Sequence, residues 1–160
     1  INLAVQVTVV MPNGDLGPSQ VTFAPVEILM PGETVPIAAR FANMDTVWGA
    51  TARVIAAQDA SELKERFLAL TIGAVSSKIS ESGYYTVSTE VVNNTTQHAN
   101  QIVLLISGYS AEGDLRGFRI IELKQDLQSG EKANVVATLT SAMQEIIRFS
   151  VSAHARAGSP

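Results

Sequence analysis

The side chains of this chain that could do chemistry are its two histidines, its turn carboxylates, its serines and a few aromatics, so their spacing is weighed first. His98 lies in TTQHAN and His154 in SVSAHARAG. A metal centre needs two or more converging ligands, and neither histidine has a ligand-type residue two or four positions away. His98 therefore reads as a solvated loop residue and His154 as an outward-facing strand residue. Asp15, Glu112 and Asp114 stand near two hairpin tips, but no calcium loop with oxygen ligands at alternate positions surrounds them. Acidic residues at such tips are ordinary turn formers. Glu33 and Glu131 each follow a glycine and open a strand, without the paired acid that glycoside chemistry needs.

Serines are plentiful, yet no G-x-S-x-G elbow presents one. SGEKAN lacks the earlier glycine and the hydroxyl residue of a phosphate loop. No catalytic, metal-binding or cofactor-binding residue is nominated, and the chain reads as non-enzymatic. Trp48 is the single tryptophan. It could stack on a sugar or anchor a partner, but it shares an alternating face with Ala50, Ala52 and Val54, which places it in a core. Tyr84 and Tyr85 are adjacent, so one ring points in and the other out. Asn93 and Asn94 each begin an N-x-T sequon that turn chemistry explains outside a eukaryotic source.

Composition narrows the rest. Of 160 residues, 46% are hydrophobic and 16% charged, enough to build a core and too apolar for disorder. The net charge of −4, with eleven scattered Lys and Arg, argues against a nucleic-acid partner. The absence of cysteine removes disulfide scaffolds and thiolate chemistry but leaves the compartment open. The longest strongly apolar run, Phe67 to Val75, falls far short of the ~20 residues that cross a bilayer. No signal-peptide pattern opens the chain. It starts directly on INLAVQVTVV, which reads as a fragment of something longer.

The elements that position these residues are strands, written twice. Gly14-Asp15-Leu16 and Gly113-Asp114-Leu115 lie 99 positions apart, and Gly32-Glu33 and Gly130-Glu131 lie 98 apart. Trp48, Ala50, Ala52 and Val54 fall on Ile147, Phe149, Val151 and Ala153 at the first interval, and Ala39 and Phe41 on Ala137 and Leu139 at the second. Both sets alternate, the period of a strand with one buried face. Glycine supplies the positive φ of each hairpin turn, and Pro31-Gly32 suits a type II turn. The pattern predicts two β modules, one over about 1–57 and one over 84–160.

Between them, residues 58–83 read as a connector. In QDASELKERFLAL, Asp59 precedes Glu62 by three positions, and Leu63, Phe67 and Leu70 share a face, which predicts a helix of about three turns. SSKISESG reads as a loop. The second module opens with a strand around Tyr85, Val87 and Thr89 for which the first has no equivalent. The first module is thus expected to lack its opening strands and to expose an edge that invites another chain. More polypeptide upstream is the simplest way to fill the gap; within this chain, Leu68–Ile79 folding back or strands donated by a second chain would satisfy the edge.

The stretch TVSTEVVNNTTQHANQIVLLISGYSAEGDLRG followed by LQSGEKANVVATL resembles the bacterial immunoglobulin-like modules named for an F-x-L-Y-D pattern (FxLYD). Val92-Asn93-Asn94-Thr95, Tyr109-Ser110, Gly113 and Leu127 with Gly130-Glu131 occupy the positions of that pattern. Gly14 and Leu29-Met30-Pro31-Gly32-Glu33 carry it weakly into the first module. Ser110 stands where Asp is usual, and the naming pentapeptide is intact in neither copy. The resemblance implies an immunoglobulin-like β-sandwich in an exported, often envelope-anchored, multi-domain protein without catalytic activity.

The expected fold is all-β, an immunoglobulin-like sandwich repeated twice with a short helix in the connector. The expected role is spacing or surface recognition, through a protein partner or self-association at exposed strand edges, a homodimer included. Membrane attachment would come only through regions outside this chain. The alternative role is a ligand-binding module, carbohydrate being the candidate ligand.

Overall fold

The computed structural model describes residues 3–42, 44, 46–141 and 145–158. Its regular structure is almost all strand. In chain order these are β1 (Ala4–Val10), β2 (Leu16–Phe23), β3 (Gly49–Ala56), β4 (Phe67–Ala69), β5 (Thr71–Ile72), β6 (Ser76–Ile79), β7 (Tyr84–Val92), β8 (Ala99–Tyr109), β9 (Leu115–Glu122), β10 (Lys132–Thr140) and β11 (Arg148–Ala157). Two compact units divide the chain, Ile1–Ser61 and Glu62–Pro160. Among the described residues no helix is long and apolar enough to cross a membrane.

The first unit holds one antiparallel sheet in the order β2-β1-β3. The β1–β2 hairpin turns on Gly14, whose φ of 86° is open to glycine and costly for other residues. The Gly14 N–H donates to the Met11 carbonyl, and the Met11 N–H to the Asp15 carbonyl, both at 2.9 Å. β3 pairs with the other edge of β1, setting Gly49 opposite Val10 and Val54 opposite Val5. Residues 24–48 contain no strand among those described. The Pro31-Gly32 turn lies there, closed by the Glu33 N–H donating to the Met30 carbonyl at 3.0 Å. The buried aliphatic residues of this unit are Ala4, Val5, Val9, Val26 and Ile28.

The second unit is a sandwich of two antiparallel sheets. One runs β4-β11-β8-β9; the other runs β10-β7-β5, with β6 also paired to β7. β7 and β10 form a nine-residue ladder from Tyr84 opposite Thr140 to Val92 opposite Lys132. Alternate residues are buried: Tyr85, Val87, Thr89 and Val91 on β7, and Ala133, Val135, Ala137 and Leu139 on β10. The apolar ones meet Ile102, Leu104 and Ile106 of β8 and Ala153 and Ala155 of β11 between the sheets. Burying each large aliphatic side chain there contributes about 1.5–3 kcal/mol, which a single open sheet forgoes.

The connector differs from its sequence reading. The helix is a 3₁₀ helix over Ser61–Arg66, and Phe67 already begins β4. Asp59 does cap it, its Oδ1 accepting the Ser61 N–H at 2.9 Å. The amphipathic pattern of Leu63, Phe67 and Leu70 is overridden because Leu68 and Leu70 are drawn into the sandwich core instead. SSKI within the expected loop is strand β6, Ser76 opposite Ser88 and Ile79 opposite Tyr85. Leu68–Ile79 therefore completes the second unit, pairing with β11 and β7, and leaves the sheet of the first unit at three strands.

Candidate interaction surface

The polar candidates resolve into local structure. His98 is half-buried, with Nε2 3.6 Å from Asp126 Oδ2, an ion-pair distance only when the ring is protonated. His154 is buried, 6% exposed, where the alternation placed it outward. Ala153 and Ala155 on either side of it both enter the core, so the two-residue period holds and His154 lies on the other face of the sheet, which is covered there as well. β8 and β11 change register between His154 and Arg156, and Gln101 of β8 takes a φ of 48° there. β4 covers the strand's other edge, with Ala69 opposite His154.

The turn carboxylates serve their own hairpins. Asp15 Oδ2 accepts from Asn13 Nδ2 at 2.7 Å, and Asp114 Oδ2 from Arg116 Nη2 at 3.0 Å. The Ser110 hydroxyl, donating to Glu112, holds that carboxyl below its ordinary value. Glu33 and Glu131 each reach back to close a turn, accepting the Met30 and Gln128 N–H groups at 2.8 Å. Glu131 directly precedes β10, whereas no strand follows Glu33. Among the described residues no three His, Asp or Glu side chains converge as metal ligands.

Asn93 is the residue whose importance the sequence hid. It is fully buried. Its Nδ2 donates to the Gln97 and Leu127 carbonyls at 2.8 and 2.9 Å, and its Oδ1 accepts from the Thr95 N–H and hydroxyl at 3.1 and 2.7 Å. A side chain so enclosed is closed to glycosylation in the folded state; the neighbouring Asn94 is exposed and bonds Thr71 Oγ1 at 3.0 Å. Tyr85 is buried and Tyr84 exposed, as their adjacency predicts.

Trp48 overturns its core assignment. It is 73% exposed, just before β3, and all eight residues of β3 are exposed on both faces. Phe23 at the end of β2 is 66% exposed. The residues expected to form that alternating face, Trp48, Ala50, Ala52 and Val54, are all exposed. A core residue needs a second layer, and the first unit has one sheet.

A shift of 99 positions makes the pairing of the two sheets coincide except at one end, where Ala4 faces Ala56 but Val103 faces His154. Val10 faces Leu16 and Gly49; Tyr109 faces Leu115 and Arg148. Val5 faces Val54; Leu104 faces Ala153. The Ala24 N–H donates to the Leu3 carbonyl and the Trp48 N–H to the Val10 carbonyl; the Leu123 N–H donates to the Ile102 carbonyl and the Ile147 N–H to the Tyr109 carbonyl. The arrangement β2-β1-β3 thus has the pattern of β9-β8-β11. Their surroundings differ. β11 has β4 along its outer edge and the β7–β10 sheet over its face, while β3 has neither. Val54 is accordingly 55% exposed and Ala153 only 4%.

Among the described residues β3 therefore has no partner strand along its outer edge, and its apolar side chains are exposed. Unpaired main-chain groups on such an edge accept another strand, and the flanking side chains select it. No protein-family model matches the sequence, and no curated protein or solved structure is significantly similar to it.

Proposed function

We propose that the chain carries two copies of one immunoglobulin-like module, the first incomplete, and acts as a non-enzymatic structural and interaction element of an exported, envelope-associated protein. The coincidence of register at an interval of 99 carries this reading. Pairing register is set by backbone and turn geometry, so it persists where side chains diverge. The FxLYD resemblance supports the immunoglobulin-like assignment and the exported setting. Recognition proceeds through main-chain edges and loops, with no bond made or broken, and β3 is the edge that supports it best.

Light scattering of the whole chain over a range of concentrations tests the role of that edge. The expected result is a mass that rises above the monomer's and a double variant, Val54→Lys with Ile55→Lys, that stays monomeric, because charges on an edge strand oppose pairing. A chain that remains monomeric throughout would remove self-recognition from the reading. The exposure of Trp48 supports the alternative, carbohydrate binding, and a change in its emission on adding glycans to that monomer would favour it.

A further inference from the structure

We infer that the second unit pairs edge to edge with the second unit of another copy of this chain, β9 against β9, about a two-fold axis at Arg119. The second unit alone supports this, without reading the two units as copies.

β9 ends its sheet, and among the described residues no strand pairs with its outer side. Its neighbours in the chain are both placed: β8 pairs with β9 itself, and β10 pairs with β7. One bond tells which main-chain groups face outward. The Leu123 N–H donates to the Ile102 carbonyl at 2.9 Å, so 123 is a hydrogen-bonded position, and by antiparallel alternation 121, 119 and 117 are too. The N–H and C=O groups of Phe118, Ile120 and Glu122 therefore point away from β8. Their side chains share the outer face of the sheet, since Ile121, opposite Leu104, faces the core. Ile120 is 43% exposed, and Glu122 and Lys124 are exposed beside it.

Such an edge accepts a strand, and the side chains along it decide which one. Residues 114–124 read DLRGFRIIELK. Laid antiparallel on itself with Arg119 at the centre, this stretch sets Phe118 opposite Ile120, Arg116 opposite Glu122 and Asp114 opposite Lys124, each pair occurring twice. Apolar pairs flank the axis and opposite charges meet at both ends. Only even positions offer outward main chain, so a slipped register must still set even residues opposite even ones. The two nearest slips fail. One puts Asp114 opposite Glu122, and the other puts Arg116 opposite Lys124. Like charges directly opposite are destabilising, so the charge pattern selects a single register. The strand that carries the complementary pattern is β9 of a second copy. β2, which ends the sheet of the first unit, reads LGPSQVTF and has no charge with which to specify a partner.

The local geometry suits the seam. Arg116 sits at the bulge of β9, where Gly117 faces Gly108 but Leu115 faces Tyr109, and its Nη2 donates to Asp114 Oδ2 at 3.0 Å. Glu122 and Lys124 of the second copy extend that ion pair into a row of alternating charge. The two Arg119 residues meet at the axis on the inner face, but each is held toward its own unit, Nη1 donating to the Thr138 carbonyl at 3.2 Å. A seam of one strand is small, so it is a weak lateral contact that counts where copies are held side by side.

The absence of cysteine allows a direct trap. At the axis the two 119 positions form a non-hydrogen-bonded pair, whose Cα separation of about 4.5 Å suits a disulfide. Arg119→Cys is made in the whole chain carrying Val54→Lys and Ile55→Lys, so that association through β3 does not contribute. Disulfide-linked dimer is then followed under oxidised glutathione. Val136→Cys, at an exposed site on the other sheet, reports chance encounter. Arg119→Cys should cross-link about tenfold or more faster than Val136→Cys, and adding Glu122→Lys should remove that excess. Arg116→Glu together with Glu122→Lys should return it, which a merely structural effect of either change would not do. Cross-linking no faster than that of Val136→Cys would overturn the pairing. Fast cross-linking that ignores Glu122→Lys would overturn the register and the choice of a second copy with it. Neither result bears on β3, which is blocked throughout and is tested separately by the mass of the unaltered chain.

Discussion

At the scale of the residue, Asn93 shows how much an unremarkable turn asparagine can hold. Its amide ties the turn after β7 to the Leu127 loop, and the main chain adds the Asn93 N–H to the Glu131 carbonyl and the Gly130 N–H to the Asn93 carbonyl, at 2.9 and 2.7 Å. Asn93→Ala would keep those main-chain bonds but leave the Gln97 and Leu127 carbonyls and the Thr95 N–H without their side-chain partner, at a cost of about 2–3 kcal/mol. All three tyrosines lie in the second unit and the lone tryptophan in the first, so the loss is expected in the tyrosine band of near-UV circular dichroism during urea unfolding. An unchanged midpoint there would show the network to be dispensable. The sequon marked this position but not its burial, because burial depends on Leu127, 34 residues away.

At the scale of the element, residues 34–42 share the apolar spacing of β10 but not its burial or structure: Val35, Ile37, Ala39 and Phe41 are half-buried, Pro36 is buried, and no strand forms. A strand is a relation between two segments, so a pattern in one is not sufficient. The close crossing of β9 and β10 depends on a glycine for a related reason. A Cβ at Gly117 would lie 2.8 Å from the Thr140 carbonyl oxygen, and main chain has little freedom to yield. Gly117→Ala should therefore destabilise the second unit by about 1–3 kcal/mol. Gly17→Ala, read by hydrogen exchange of β1–β3 in its own unit, should be nearly silent, since its Cβ would meet the flexible Met11 side chain at 3.1 Å. Equal effects would refute the contrast. The connector repeats the lesson: its helical periodicity was legible, but Leu68 and Leu70 contribute more in the sandwich core than on a short isolated helix.

At the scale of the whole molecule, the two units differ in how much they bury. The second has two sheets closing on shared clusters of aliphatic side chains, and the first has one sheet with few buried residues. Native-state hydrogen exchange should find β1–β3 opening at lower free energy than β7, β8, β10 and β11. Uniform protection across both would mean that the units unfold together. Trp48 should be quenched by acrylamide nearly as well in the folded chain as in urea, given its exposure.

The sequence by itself determined the all-β character, the hairpin and Gly-Glu turns, the interval between them, and the one-in, one-out placing of Tyr84 and Tyr85. These are local properties: period-two alternation and a glycine at positive φ depend on a few neighbouring residues. Only the tertiary structure decided which faces are covered. It covered the outer face of β11 at His154, exposed Trp48 for want of a second sheet, drew Leu68–Ile79 into the second unit, and left residues 34–42 without a ladder. Each of these outcomes depends on what lies across the sheet or beside the strand, and a hydrophobic pattern says which face seeks cover without naming the segment that provides it.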